Sequence, residues 1–156
     1  MPTPPDPKTL PPNVAYTHRR IAVPPQAVYD ALTDFDRYPH WNSFTVGASA
    51  EALAVGAPLT LTVQMSPNSR TTTAPEIITL VDPPNALGWR YNGPAWLLRA
   101  TRYQMMQPTD DGGTDYITWE TFEGPMALVL RWTGMLAAVQ RGFDRSADEL
   151  KRYVKQ

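Results

Sequence analysis

The stretch Gly124–Gln156, GPMALVLRWTGMLAAVQRGFDRSADELKRYVKQ, decides the fold. Gly124 breaks the pattern that precedes it, and Pro125 suits a first helical turn, where a missing N–H costs nothing. Leu128, Trp132, Met135, Leu136, Val139, Phe143, Leu150 and Val154 then recur at spacings of three, four and seven, which places them on one helical stripe. Arg131, Gln140, Arg141, Asp144, Arg145, Asp148 and Lys151 take the other side. The spacing predicts a single helix of about 28 residues, ~42 Å long at 1.5 Å per residue. Gly134 within it costs about 1 kcal/mol relative to alanine and marks a bend or a close approach.

Working upstream, the period changes to two. Leu98–Gln107 and Thr114–Glu123 flank Asp110-Asp111-Gly112-Gly113, which reads as a hairpin. Thr72–Val81 and Ala86–Tyr91 flank the turn signal Asp82-Pro83-Pro84-Asn85. Pro58–Met65 alternates Leu59, Leu61 and Val63 with threonines, a half-buried pattern, and Phe44–Ala48 is a further short strand. Tyr16–Val23 reads as the first strand, stopped by Pro24-Pro25. Gln26–Thr33 places Val28, Ala31 and Leu32 at helical spacing. Asp34 is expected to cap a second short helix, Phe35–Tyr38, which Pro39 ends. Strands joined by short turns favour an antiparallel sheet, and such a sheet must bury one face. The economical solution is an α+β fold in which the sheet curls around the C-terminal helix and the two short helices close one end. One domain is expected over residues 14–156, preceded by a flexible proline-rich leader over 1–13.

Composition removes whole classes of function. With 14 basic and 15 acidic residues and a net charge of −1, the chain lacks the basic excess of a general nucleic-acid binder. No run approaches the ~20 apolar residues that span a bilayer. Met1–Pro12 lacks the charged start and apolar core of a secretory signal, so the cytosol is the expected location. The absence of cysteine excludes disulfides, thiolate nucleophiles and zinc held by sulfur. His18 and His40 are too few for a histidine-rich metal site, so no metal and no cofactor are expected. Neither Ser43 nor Ser66 has a recognisable histidine partner, which leaves covalent catalysis without support. The oligomeric state is left open.

Further motifs carry a resemblance. Ile21–Phe35, IAVPPQAVYDALTDF, is similar to the opening of the polyketide cyclase/dehydrase and lipid-transport superfamily, also called START-like, Bet v 1-like or SRPBCC. Tyr38-Pro39-His40-Trp41-Asn42 matches its YPxWN element. Gly113-Thr114, Glu120–Gly124 and the final helix resemble its closing hairpin and helix, so the likeness runs from Tyr16 to Tyr153. It implies a helix-grip fold, with a bent antiparallel sheet gripping the C-terminal helix and a cavity between them. It further implies a hydrophobic small-molecule ligand, lipid-, polyketide- or terpenoid-like. The alternative is a cofactor-free cyclase, dehydratase or isomerase, and a third reading is an interaction domain whose cavity is filled. Fold alone does not choose among these.

Side chains alternate across a strand, so Tyr116, Thr118, Glu120 and Phe122 share one face and Ile117, Trp119, Thr121 and Glu123 the other. The pattern leaves open which face points inward. The resemblance places Arg102, Gln104, Tyr116, Thr118, Glu120 and Phe122 toward the cavity. Arg102 and Glu120 would then form a buried pair on neighbouring strands, with Glu120 as a base and Arg102 and Tyr116 as its catalytic partners. The bland alternative is a surface pair of little energetic value. Trp41, Trp89, Tyr91, Trp96 and Trp132 are expected to gather around a flat ligand, Trp96 from an entrance loop, with Met135 and Leu136 supplying helix contacts. His18 is expected to face solvent and His40 to make local hydrogen bonds in a loop.

Overall fold

In the computed structural model, which describes all of Met1–Gln156, every predicted strand is present. The strands are β1 (Val14–Ile21), β2 (Thr45–Ala50), β3 (Pro58–Gln64), β4 (Thr71–Asp82), β5 (Ala86–Tyr91), β6 (Arg99–Pro108) and β7 (Thr114–Glu123). They form one antiparallel sheet in the order β1-β7-β6-β5-β4-β3-β2. Consecutive strands from β2 to β7 are neighbours, as short turns require. Register shifts at Thr45/Gly47 and at Ile78/Leu80 interrupt the ladders, and such bulges bend a sheet. β1 ends at Ile21 rather than Val23 for a ladder reason. Ile21 pairs with Thr114, the first residue of β7, so nothing lies opposite Ala22 and Val23.

Between β1 and β2 run α1 (Pro25–Thr33), a 3-10 turn at Phe35–Arg37 and α2 (Tyr38–Trp41). Three expectations fail here. Asp34 makes no side-chain cap bond, and Pro39 opens α2 rather than ending a helix. Proline in a first turn removes a donor that had no partner anyway. His40 therefore sits on a helix, not in a loop, and it is exposed. Asn42 then turns the chain into β2, its Oδ1 accepting the N–H groups of Phe44 and Thr45 at 3.0 and 2.8 Å.

The C-terminal region departs most from expectation. It forms two helices, α3 (Pro125–Trp132) and α4 (Met135–Tyr153). Gly134 separates them at φ 80°, a left-handed conformation that only glycine adopts cheaply. A Cβ there would meet nothing within 4 Å, so Gly134 is a bend and not a close approach. α4 packs along the inner face and against β1. Its stripe of Leu136, Val139, Phe143, Ala147 and Leu150 is buried. Gln140 binds the outer side of edge strand β1, its Oε1 accepting from Tyr16 N–H at 2.8 Å and its Nε2 donating to Tyr16 C=O at 2.7 Å.

Two apolar clusters fill the inside. One joins α1, α2 and the end of α4 to β4 of the sheet through Val28, Leu32, Trp41, Leu150 and Ile78. The other sets Phe44 and Phe122 against Leu136, Val139 and Phe143. A third lies on the opposite face of the hairpin, where Met105, Ile117 and Trp119 are buried beside Tyr103. Asn13 ties the residues before β1 to the sheet, trading hydrogen bonds of 2.9 Å with the Phe122 backbone.

Candidate functional site

Alternation along four adjacent strands places a lateral row of side chains on the concave face. Glu120 of β7 pairs with Arg102 of β6, Arg102 with Trp89 of β5, and Trp89 with Ile78 of β4. Glu76 lies two residues from Ile78 and so shares its face. Between this row and α4 is a cavity of about 200 Å³. Twelve of its 16 lining residues are hydrophobic, among them Phe44, Leu61, Val63, Met65, Trp89, Tyr91, Leu98, Phe122, Val139 and Phe143. Glu76, Arg102 and Glu120 are the ionisable groups in its wall.

Arg102 is 7% exposed, and how it is held differs from expectation. Its Nε donates to Thr118 Oγ1 at 3.1 Å, and Thr118 in turn donates to Tyr103 C=O at 3.0 Å. Its guanidinium carbon stands 4.1 Å from the centre of the Phe143 ring and 5.8 Å from that of Trp89. Arginine over an aromatic face is favourable, and more so when water is excluded. No carboxylate lies within 4.0 Å of its nitrogens, so the expected Arg102–Glu120 ion pair is not formed. The two side chains instead face one cavity as cross-strand neighbours.

The carboxyls respond to that setting. Glu76 is 8% exposed, and its Oε2 is buried without a hydrogen-bond partner. Burial, then the nearby negative charge of Glu120, pushes its pKa up to about 8, with Arg102 opposing. Glu120 is pushed up to about 7 by burial, again opposed by Arg102. Glu120 is half-buried, and the surface it exposes faces the apolar cavity. Near neutral pH, one positive charge thus sits with two carboxyls that still hold protons in part. A group tuned this way can give or accept a proton at ordinary pH.

Toward α1 and α2 the interior narrows to a polar pocket of about 10 Å³, the size of one water. There Tyr116 donates its hydroxyl proton to Gln104 Oε1, and burial raises the Tyr116 pKa. Trp41 closes this end. It stacks on Tyr153 at 5.7 Å and 14°, and its Nε1 is buried without a partner.

The expected site residues therefore divide. Arg102, Glu120, Trp89, Tyr91 and Phe122 line the cavity, while Gln104, Tyr116 and Trp41 line the small pocket beyond it, with Thr118 beneath Arg102. Leu136 is buried behind the cavity wall. Trp96, Trp132 and Met135 do not join them, at 77%, 81% and 39% exposed. The bend at Gly134 turns the Trp132 face of α3 outward, and Trp96 projects from the β5–β6 loop. Sequence reasoning missed Glu76, Val63, Met65, Ala74 and Leu98. The phase of Ala74 and Ile78 was the signal for Glu76.

Tyr91, Leu98 and Ala100 also line an outer depression of about 300 Å³, so a thin wall separates the cavity from solvent there. The Tyr91 ring lies over Gly93, where any Cβ would collide with it. A larger cleft of about 380 Å³, with Arg37, His40, Glu149 and Arg152, lies at the α2 end. It is polar and carries two hydrophobic lining residues among seven, so it lacks the surface that an apolar ligand needs. Ser43 has no histidine beside it, its hydroxyl donating to Glu149 at 2.9 Å and accepting from Arg145 Nε at 2.8 Å. His18 is exposed and meets Asp115 at 2.9 Å.

Comparison with known proteins agrees with this geometry. Residues 14–155 match the family model described as polyketide cyclase/dehydrase and lipid transport. The chain is 28% identical over 148 residues to the "Oxopyrrolidines biosynthesis cluster protein O" of Penicillium oxalicum, with 72% of each covered. In fold it is similar to a protein of Nitrosomonas europaea, with a TM-score of 0.69 and 19% identity over 93% of this chain and 96% of that one. It is also similar to the di-domain ARO/CYC StfQ from the steffimycin biosynthetic pathway, with a TM-score of 0.65 and 14% identity over 92% of this chain and 51% of that one. At such identities the structural likenesses establish the helix-grip fold alone.

Proposed function

The chain belongs to the polyketide cyclase/dehydrase and lipid transport family, and from that premise we propose that its cavity holds a compact hydrophobic molecule with one oxygen-bearing end. The observation that carries this is a half-open apolar space of about 200 Å³ whose wall holds Glu76, Arg102 and Glu120. An apolar body gains from leaving water, and a few convergent polar groups fix its orientation. A carbonyl or hydroxyl suits Arg102, which has N–H groups beyond the one given to Thr118. It also suits Glu76, whose Oε2 has no partner. The volume lies below the ~300 Å³ at which drug-sized sites begin, which favours a small ligand.

A second reading, a cofactor-free cyclase, dehydratase or isomerase, is favoured by the two carboxyls. Glu120 as carboxylate would take a proton from carbon beside a ligand carbonyl, and protonated Glu76 would return one. Arg102 would stabilise the oxygen charge that develops between these steps. A related protein of a biosynthesis cluster and an ARO/CYC of similar fold support this reading.

Titration with 2-naphthol, read by tryptophan emission, tests the first reading. Quenching is expected, and it is expected to vanish in Val63→Trp, which fills the cavity; quenching that survives in a folded Val63→Trp would place the ligand elsewhere. The carboxyls are tested by stability against pH. Both have folded pKa values above the ordinary 4.5, so the folded chain binds more protons than the unfolded one between about pH 4.5 and 8. Stability is therefore expected to fall as pH rises through that window. Asp111 and Asp148, whose pKa values are lowered from 3.8, act below it. Glu76→Gln is expected to flatten the decline, and a melting temperature already level in the parent protein would mean ordinary carboxyls.

A further inference from the structure

The outward face of α3 has no partner within the fold, and we propose that it seats the protein on an anionic membrane surface. Leu128, Val129 and Trp132 are 53%, 48% and 81% exposed, and Ala127 is the one buried residue of that helix. Met135 extends the apolar face past the bend at 39% exposed. Trp96, 77% exposed, joins from the β5–β6 loop, where its neighbour Leu97 accepts the Met126 N–H at 3.1 Å. Two exposed tryptophans thus stand at the two ends of one short helix.

Charge completes the surface. Residues 92–99 and 124–143 hold three charged side chains, Arg99, Arg131 and Arg141, all basic and all exposed. The acid at this border is Glu123, cross-strand partner of Arg99. The next, Asp144, is turned toward β1, where Thr17 donates to it. Net positive charge therefore collects here in a chain whose overall charge is −1.

Lipid fits this face better than protein. A stable protein contact buries roughly 800 Å² from each partner, spread over about 20–30 residues. This face offers five large apolar side chains, three on one short helix, one at the start of α4 and one on a loop. Exposed tryptophan with exposed arginine close by in the chain is the chemistry of the headgroup region, where the indole sits at the apolar boundary and the guanidinium meets phosphate. Tyr91 and Leu98, in the thin wall of the cavity, bracket the Trp96 loop, so docking would set that wall against lipid. The proposal does not depend on what the cavity holds.

The full chain would be sedimented with vesicles of phosphatidylcholine containing phosphatidylserine, and with vesicles of phosphatidylcholine alone. Preferential binding to the anionic vesicles is expected, weakened by added salt and by about fivefold in Arg131→Gln. A Trp96→Ser/Trp132→Ser double variant is expected to lose at least roughly tenfold while keeping its melting temperature, since both side chains are exposed. Failure of the parent protein to bind either vesicle would overturn the proposal. So would binding indifferent to the double variant, or a self-association abolished by that variant, which would assign the face to a second copy. None of these outcomes bears on naphthol quenching, measured without vesicles.

Discussion

α3 and α4 are consecutive helices drawn from one apolar stripe, and they meet opposite fates. α4 lays Leu136, Val139, Phe143, Ala147 and Leu150 against the sheet, each under 9% exposed. α3 buries Ala127 and turns Leu128, Val129 and Trp132 to the outside. The divide is the left-handed turn at Gly134, which rotates one half of the stripe away from the other. Apolar periodicity thus states that a helix has an apolar face. What covers that face depends on where the sheet lies, and a single φ angle can change it.

The largest effect should come from α4. Phe143 is 1% exposed, packs edge-on to Phe44 at 5.8 Å and lies beneath the Arg102 guanidinium. Phe143→Ala is expected to cost about 3–5 kcal/mol in denaturant unfolding. A loss below about 1 kcal/mol would mean that α4 is not clasped. One residue earlier, a Cβ on Gly142 would run into the Phe44 ring, which Phe143 already holds in place. Gly142→Ala should cost about 1–3 kcal/mol by overpacking; a neutral result would show that ring free to move. The smallest effect belongs to α3, where Trp132→Ser should leave stability within about 0.5 kcal/mol. A penalty rivalling that of Phe143→Ala would erase the contrast between the helices.

Much of the scaffold was legible because its signals are local. Asp110–Gly113 announces the β6–β7 hairpin, and the alternation of Leu59, Leu61 and Val63 announces β3. Both need only neighbours in the chain. The inward face of the hairpin was not legible from alternation, and the reason is visible. Ile117 and Trp119 on the outer face are buried too, like Tyr116 and Thr118 on the inner one, so hydrophobicity does not distinguish the faces. Resemblance to known hairpins made that choice.

At the site, the resemblance put Arg102 and Glu120 on one face, whereas the direction of the guanidinium lay beyond it. A Phe143 ring from the far end of the chain decides it. Glu76 was passed over because a carboxylate in a strand reads as a solvent-facing residue. Its phase with Ile78, which is fully buried, outweighs its chemistry. Gly134 was recognised as special, but its dihedral angle, and hence the placement of Trp132, depended on what α4 could reach.

The Gln140 amide has a consequence beyond holding α4. β1 is a rim of the sheet, and its Tyr16 peptide groups point away from β7 toward open pairing. Gln140 satisfies both, presenting one acceptor and one donor as a neighbouring strand would. At that point a stranger's backbone finds nothing left to bond, which is a safeguard against fibril-like growth from this rim.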